Sequence, residues 1–229
     1  GISFTYAPEK GFTATGALGF EATWHPDLTA ATPPSAKASP PVQRDFSIKN
    51  LERAIQTAIR SLVKGRGQGG WWKDFRGLGG MSDAWVTAYI ATSLAEAGTP
   101  ESLKAAQDAL HLLQNRRGAI EVWGFNFVMP QDADSASWVL RLSQALGIDP
   151  TGRLAFATRF LQDRKNEDGG LATYEPGDAA RLSVFFGTTA LAGQCHSHDG
   201  VTAAAAGIYR LAAIYKDYLR NRQQPDGSW

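Results

Sequence analysis

The chain has no excess of charge of either sign and no long apolar run. Its 229 residues carry 23 Lys and Arg against 22 Asp and Glu, a formal net charge of +1. Surfaces that bind nucleic acid carry a clear basic excess, so the composition disfavours a nucleic-acid partner. A membrane-spanning helix needs about 18 or more consecutive apolar residues, and none is present, so we expect no transmembrane segment.

Cysteine is almost absent, with Cys195 the only one in the sequence. A single cysteine forms no intramolecular disulfide, which favours a reducing compartment over a secreted scaffold. The N-terminus also lacks a basic segment followed by an apolar one, the pattern of a signal peptide. These absences predict a cytoplasmic protein, with peripheral association at a membrane surface as the alternative.

The sequence divides into an arm and a helical body. Residues 1–44 form the arm, which ends in the Pro-rich linker TAATPPSAKASPPVQ at 29–43, and alternating apolar residues predict one or two short strands before it. The body, residues 45–229, begins with a helix capped by Asp45 or Ser47, since apolar residues recur there at helical spacing. A second helix is predicted from Ser82 to the stop at Gly98-Thr99-Pro100.

This helix pair repeats along the body. The heptapeptides DAWVTAY at 83–89, DADSASW at 132–138 and HDGVTAA at 198–204 align without a gap, and each follows a turn containing glycine or aromatic residues. The sequence therefore predicts three helix pairs and the start of a fourth. The first helices of the pairs are amphipathic and are predicted to lie outside, whereas the Ala-rich second helices are predicted to lie inside. The turn at 166–198 is 17 residues longer than its counterpart, which is typical of a functional loop.

The end of the chain resembles a known repeat motif. Gln223 followed by DGSW at 226–229 resembles the QW motif of squalene-hopene and oxidosqualene cyclases, and DGG at 168–170 is a weaker copy. The resemblance implies an all-α fold, in which tandem helix pairs form part of an α/α toroid like that of terpenoid cyclases and protein prenyltransferases, behind an irregular or β arm. Because a toroid of this family has more helix pairs than this chain supplies, a missing C-terminal part or a second chain is expected to complete it.

The segment PQDADSASW at 130–138 is similar to the one that carries the Asp-x-Asp-Asp general acid of class II terpenoid cyclases. Asp132 and Asp134 match its first two acids, and Ser135 replaces the third. The resemblance implies that Asp134 is the general acid and that Asp132 and Ser135 support it. Judged from the residues alone, the alternative is that Asp132 or Asp134 only caps the helix.

A second candidate site is the segment Cys195-His196-Ser197-His198-Asp199 at the end of the long turn. Cys195, His196 and His198 suit zinc, although a structural zinc needs a fourth ligand, and a Cys–His nucleophilic pair is a further alternative. A hydrogen-bonded turn with no chemistry also explains these residues. No metal is favoured, and zinc is kept as the alternative cofactor.

Aromatic residues are concentrated in the turns that lead into the second helices and at the start of these helices. Aromatic faces stabilise cations, so these rings are candidates for binding a hydrophobic substrate and a developing carbocation, although they also suit a packed floor between helix ends. The candidates are Trp71, Trp72, Trp85, Trp123, Phe125, Tyr174 and Phe185.

Three functions remain open. The first is a terpenoid cyclase-like enzyme that starts cyclisation of an isoprenoid or lipid-like substrate by protonation from Asp134. The second is a non-catalytic toroid that binds a hydrophobic ligand or a partner. The third is a different reaction centred on Cys195–His198, with or without zinc.

Overall fold

The computed structural model describes residues 3–7, 11–15, 21–24, 47–74, 76–77, 79–116, 122–187 and 192–228. The Pro-rich linker at 29–43, Asp45 and Trp229 lie outside the described residues.

The described part of the N-terminal arm contains three strands, one more than the upper number predicted. Strands β1 (Ser3–Ala7), β2 (Gly11–Thr15) and β3 (Glu21–Trp24) form an antiparallel sheet in sequence order. The prediction missed β2, whose GFTAT sequence has aromatic and β-branched residues that favour strands but only a short apolar alternation.

The body is built from helices, as predicted. Four of them open the helix pairs: α1 (Ile48–Lys64), α3 (Pro100–Gln114), α5 (Arg153–Asp163) and α8 (Ala212–Arg222). Three inner helices alternate with them: α2 (Ala84–Ala97), α4 (Ala133–Ala145) and α7 (Asp199–Ala206). The long turn adds α6 (Pro176–Phe186) and a short 3₁₀ segment at Ala192–Cys195, and the first turn holds β4 (Arg76–Gly77) and β5 (Gly80–Met81).

The inner helices pack against one another and against the outer helix that follows each of them. Helix α4 lies between α2 and α7, and α2, α4 and α7 pack on α3, α5 and α8 respectively. Ala88 and Ala91 of α2 and Ala136 of α4 are fully buried, and side chains this small let packed helix backbones approach closely. The prediction of an all-α fold of tandem helix pairs is confirmed.

A repeated hydrogen bond braces the turns between outer and inner helices. The indole Nε1–H of Trp72 donates to the Leu62 carbonyl at 2.8 Å, and that of Trp123 donates to the Leu113 carbonyl at 2.9 Å. Both pairs are ten residues apart. In the third unit the phenol of Tyr215 donates to the Leu161 carbonyl at 2.5 Å, so a helix-end carbonyl in the corresponding place gains its side-chain donor from another helix. Each of these three carbonyls also accepts a backbone N–H from the residue three positions further on.

The start of each inner helix lies where the sequence predicts it. Asp83 caps α2 and Asp132 caps α4, whereas His198 precedes α7 without a side-chain capping bond. Ser47 caps α1 by accepting a hydrogen bond from the Asn50 amide. Backbone bonds tie α4 and α7 to the preceding turns.

Candidate active site

A cavity of about 400 Å³ lies at the N-terminal ends of the inner helices. It brings together the three predicted catalytic residues, several predicted aromatics and the segment around His198. Its lining residues are Asp74, Trp85, Phe125, Asp132, Asp134, Ser135, Thr173, Tyr174, Gln194, His198 and Val201.

Asp134 is the second residue of α4, and its half-buried side chain lines this cavity. Burial raises the pKa of its carboxyl above the ordinary value. The indole N–H groups of Trp85 and Trp138, and the charge on His198, oppose this rise in pKa because they favour the carboxylate. The Trp85 N–H lies close enough to exert this effect but makes no hydrogen bond of standard geometry within the described part of the chain.

Asp132 is buried beneath Asp134 and caps α4. Its carboxylate accepts hydrogen bonds from the Ser135 amide at 2.6 Å and from the Ser135 hydroxyl at 2.9 Å. Burial raises the pKa of Asp132 to about 7, and the nearby Asp134 adds to the rise, whereas the bonds from Ser135 lower it. The helix-capping role thus belongs to Asp132, while Asp134 faces the cavity.

Of the predicted aromatics, Trp85, Phe125 and Tyr174 line the cavity. Burial raises the pKa of the Tyr174 phenol, and the carboxylates of Asp132, Asp134 and Asp178 add to the rise. This phenol is therefore neutral and can donate a hydrogen bond.

The other predicted aromatics differ in position. Trp72 and Trp123 are buried, their indole N–H groups donate to helix-end carbonyls, and neither lines this cavity. Trp71 is half-buried and meets the Phe127 ring edge-on at 6.1 Å between centroids. Phe185 lies in α6, and its side chain is outside the described residues.

The segment at Cys195–His198 forms no metal centre among the described residues, where no three His, Cys, Asp or Glu side chains lie close enough to hold a metal ion. Burial, and then the charge of Asp178, raises the pKa of the Cys195 thiol, which disfavours the nucleophilic thiolate. The imidazole Nε2 of His198 lies 3.2 Å from the Gly193 carbonyl, while His196 is exposed. This geometry is that of a hydrogen-bonded turn.

Arg164 is a buried cation next to the site that the sequence analysis did not single out. It forms ion pairs with Glu175 (3.4 Å) and Asp178 (3.8 Å), and its guanidinium lies over the Phe160 ring. Burial lowers the pKa of Arg164, while Glu175, Asp178 and, last, Asp132 raise it. The sequence gives one clue, because Arg164 follows an outer helix just as Arg116 does.

An array of aromatic rings extends from Asp134 along α2 and α4. Trp85 stacks on Tyr89 with ring centroids 5.6 Å apart, and Tyr89 meets Trp138 edge-on at 4.5 Å. The Arg141 guanidinium lies 4.5 Å from the centroid of the Trp138 ring, at the other end of this array. We call Trp85, Tyr89 and Trp138 the aromatic array.

Solved structures with the same fold exist. A single-substitution variant of the type II terpene cyclase MstE from Scytonema, in complex with geranylgeranyl dihydroxybenzoate as substrate, is 30% identical with a TM-score of 0.73, over 79% of this chain and 53% of that one. Another variant of MstE, in complex with merosterolic acid A as product, is 31% identical with a TM-score of 0.73, over 79% and 54%. A protein from Actinoplanes is 31% identical with a TM-score of 0.70, over 78% and 54%.

The fold is terpene cyclase-like. The chain spans about half the length of these solved structures. No protein-family profile and no curated protein matches the sequence. None of the helices in the described ranges has both the length and the apolarity needed to cross a membrane.

Proposed function

We propose that the chain is the part of a type II terpene cyclase that contains the general acid. Asp134 starts cyclisation of an isoprenoid substrate by protonating it. The observation that carries the proposal is the position of Asp134: a carboxyl with a raised pKa, at the wall of a cavity that also has aromatic walls. The likeness to MstE in complex with its substrate and its product supports the same class of reaction.

The first step transfers the proton of the Asp134 carboxyl to a carbon of a terminal alkene, or to the oxygen of an epoxide. With an alkene, the π electrons form the new C–H bond and a carbocation forms at the neighbouring carbon. With an epoxide, the proton adds to the oxygen, one ring C–O bond breaks, the oxygen becomes a hydroxyl and the carbon it leaves becomes the carbocation. In both cases Asp134 becomes a carboxylate. A proton donor for this step must be neutral before the reaction, which burial of Asp134 favours. It must also be shielded from water, because water would capture the cation.

The surroundings of Asp134 also favour the charge that it acquires. The N–H groups of Trp85 and Trp138 and the charge on His198 stabilise the carboxylate form. In addition, Asp134 lies in the first turn of α4, where the helix dipole favours a negative charge. These groups make Asp134 a stronger acid at the moment when the proton leaves than burial alone would allow.

Asp132 and Ser135 are proposed to support the acid rather than to donate the proton. Two carboxyl groups this close titrate as a coupled pair, and the second proton is lost less readily than the first. The bonds from Ser135 fix Asp132 as the helix cap and thereby fix the start of α4. Ser135 therefore performs part of the positioning role of the third acid in the Asp-x-Asp-Asp motif of class II terpenoid cyclases.

The growing carbocation is proposed to lie against Trp85, Phe125 and Tyr174. The face of an aromatic ring attracts a cation, by up to about 2 kcal/mol when water is excluded. These rings line the same cavity as Asp134. Further π bonds of the substrate then attack the cation. The last cation passes a proton to water, and the Asp134 carboxylate takes up a proton from solvent before the next turnover.

The proposal includes a cavity completed by further structure, from a longer gene product or from a second chain. Two observations support it: the chain spans about half the length of the related structures, and α1 exposes Ile48, Leu51 and Ile55 on one stripe. The intact mass of the natural gene product tests the first source, and its oligomeric state tests the second. A natural gene product that has the mass of this chain and is monomeric would contradict both sources.

The decisive experiment replaces Asp134 by Asn in the complete gene product. The substrates are a panel of linear isoprenoids, beginning with geranylgeranyl dihydroxybenzoate. Products are separated by chromatography and identified by NMR, because a cyclised isomer has the same mass as its linear substrate. Because Asn cannot donate the proton, we expect cyclised product to fall by at least about a hundred-fold. Asp217→Asn, at an exposed site on the outer helix α8, is the matched control and retains turnover.

Circular dichroism of both variants checks that the fold is intact. Unchanged turnover in Asp134→Asn would exclude Asp134 as the acid and move the chemistry elsewhere. Tight binding of the isoprenoids with no product from the wild type would favour a non-catalytic binding module.

A further inference from the structure

The aromatic array ends at a cation that the proposed proton transfer does not use. Arg141 lies on α4 seven residues after Asp134, which is close to two helical turns. The two side chains therefore project from the same face of the helix, about 10 Å apart along its axis. Trp138 lies between them on that face, and the Arg141 guanidinium is stacked over its ring at 4.5 Å.

Arg141 has no carboxylate partner within the described part of the chain. The arginines at buried positions near the site, Arg116 and Arg164, both form ion pairs. Arg141 is half-buried, and none of the ion pairs or hydrogen bonds between described residues includes it. A guanidinium has five N–H donors, and one whose central carbon lies over an indole ring can still direct donors at an acceptor.

Gly207, which follows α7, also lies close to this guanidinium. A Cβ added at Gly207 would lie 3.2 Å from both Cζ and Nη1 of Arg141. Gly207 caps the C-terminal end of α7, where backbone carbonyls favour a nearby cation. This contact holds the guanidinium in place between α4 and α7, but it supplies partial charges and no counter-ion.

The geometry points to Arg141 as the subsite for an anionic head group, a carboxylate or a phosphate, on a substrate whose isoprenoid tail lies along the aromatic array. This inference rests on the proposed function, since it places the reacting end of the substrate at Asp134. The apolar rings between Asp134 and Arg141 suit the hydrocarbon part, and the fixed fork of an arginine suits a planar carboxylate or a phosphate. Arg141 then selects amphiphilic prenyl substrates over neutral hydrocarbons and fixes which end faces the acid.

The test measures ligand binding without turnover. Dissociation constants are obtained from quenching of tryptophan fluorescence, in the complete gene product carrying Asp134→Asn. The probes are a geranylgeranyl benzoate, its methyl ester and geranylgeranyl diphosphate. We expect the benzoate to bind at least about ten-fold more tightly than the ester, because a hydrogen-bonded charge pair contributes that much.

Adding Arg141→Gln should remove this preference for the anion. Binding of the benzoate weakens about ten-fold or more, whereas binding of the ester changes by less than about two-fold. Arg141→Lys retains the charge but not the fork and gives an intermediate loss. Arg159→Gln, an exposed arginine on the outer helix α5, is the matched control and changes neither constant. If Arg141→Gln weakens binding of the diphosphate more than binding of the benzoate, the subsite is assigned to phosphate. If it weakens binding of the benzoate more, the subsite is assigned to carboxylate.

Three results would overturn the inference. One is equal weakening of ester and benzoate by Arg141→Gln, which a merely structural role for Arg141 at the end of α7 would produce. Another is unchanged binding of both anions in that variant. The third is seen without a variant at Arg141: the Asp134→Asn protein binds the ester as tightly as the two anions.

Failure of this inference and failure of the proposed function are distinguishable. If Asp134→Asn leaves turnover intact while Arg141 controls binding of the anion, the acid assignment fails and the subsite stands. If Asp134→Asn abolishes turnover while Arg141→Gln leaves binding of the anions unchanged, the acid stands and the subsite fails.

Discussion

The first and second helix pairs have the same parts but use them differently. In each, an aspartate caps the inner helix, Asp83 on α2 and Asp132 on α4, and a buried arginine follows the next outer helix. In the first pair, Arg116 forms an ion pair with Asp83 at 3.4 Å, and both side chains are largely buried. Burial raises the pKa of Asp83, but the charge of Arg116 opposes the rise.

In the second pair the arginine is engaged elsewhere. Arg164 forms ion pairs with Glu175 and Asp178, which belong to the long turn, and Asp132 is only the weakest of the acids that act on it. Asp132 is left with a pKa of about 7. Two residues after the capping aspartate, the first pair has Trp85 where the second pair has Asp134. The long turn thus supplies Arg164 with other ion-pair partners, and the cap Asp132 keeps a raised pKa beside Asp134.

The largest expected effect in this comparison is the loss of Arg116. Replacement by Met leaves Asp83 buried without its cation, so we expect the free energy of unfolding to fall by about 3–5 kcal/mol, as measured by urea denaturation. Arg164→Met is the counterpart and should cost less, because Glu175 is 61% exposed and becomes hydrated, while the less exposed Asp178 keeps Arg181 as an ion-pair partner at 3.9 Å. If the two variants lose the same free energy of unfolding, the two arginines do not differ as the helix pairs predict.

A smaller effect is expected for the turn brace. Trp123→Phe removes one of two donors to the Leu113 carbonyl, which also accepts from the Arg116 amide, and should lower the free energy of unfolding by about 1.5 kcal/mol. Trp85→Phe is the matched variant, since the Trp85 N–H has no hydrogen-bond partner among the described residues. It should cost less stability but raise the pKa of Asp134, and it should slow turnover. Greater destabilisation by Trp85→Phe would show that Trp85 is the structural residue.

The repeat and the place of the acids were predictable because both depend on local patterns. Aligned heptapeptides predict the starts of α2, α4 and α7, and a carboxylate at a position held by Trp85 and Gly200 elsewhere indicates Asp134. The separate roles of Asp132 and Asp134 were not predictable, since both lie within one turn of a helix start.

Tertiary contacts decided the rest. Trp72 and Trp123 look like the other turn aromatics in the sequence, and only the position of the helix-end carbonyls makes them braces. The role of Arg164 depends on α6, whose fold within the long turn the sequence does not indicate. For the same reason Arg141, one of several arginines in the sequence, acquires meaning only from the ring of Trp138 beneath it.

The pH dependence of stability tests the raised pKa of Asp132. In the unfolded chain this aspartate titrates near its ordinary pKa of about 3.9, and in the folded chain near about 7. Between these values the folded state retains a proton that the unfolded state has lost, so stability falls as pH rises, by up to about 1.4 kcal/mol per pH unit. Asp132→Asn keeps a good helix cap and lacks this titration. Urea denaturation from pH 4 to 8 should therefore show wild type losing stability relative to Asp132→Asn, and parallel profiles would contradict the raised pKa.

The smallest effect expected is that of the Ser135 hydroxyl, which donates to Asp132 at 2.9 Å. Ser135→Ala removes one bond and should lower the free energy of unfolding by about 1 kcal/mol. Because that bond favours the charged form of Asp132, its loss raises the pKa further, and the loss of stability should be larger at pH 8 than at pH 5. Ser137→Ala is the matched control: its buried hydroxyl donates to the Ala133 carbonyl in the same helix at 2.7 Å, a bond that does not titrate. If both variants lose the same stability at pH 5 and pH 8, Ser135 supports only the helix and not the charge of the acid pair.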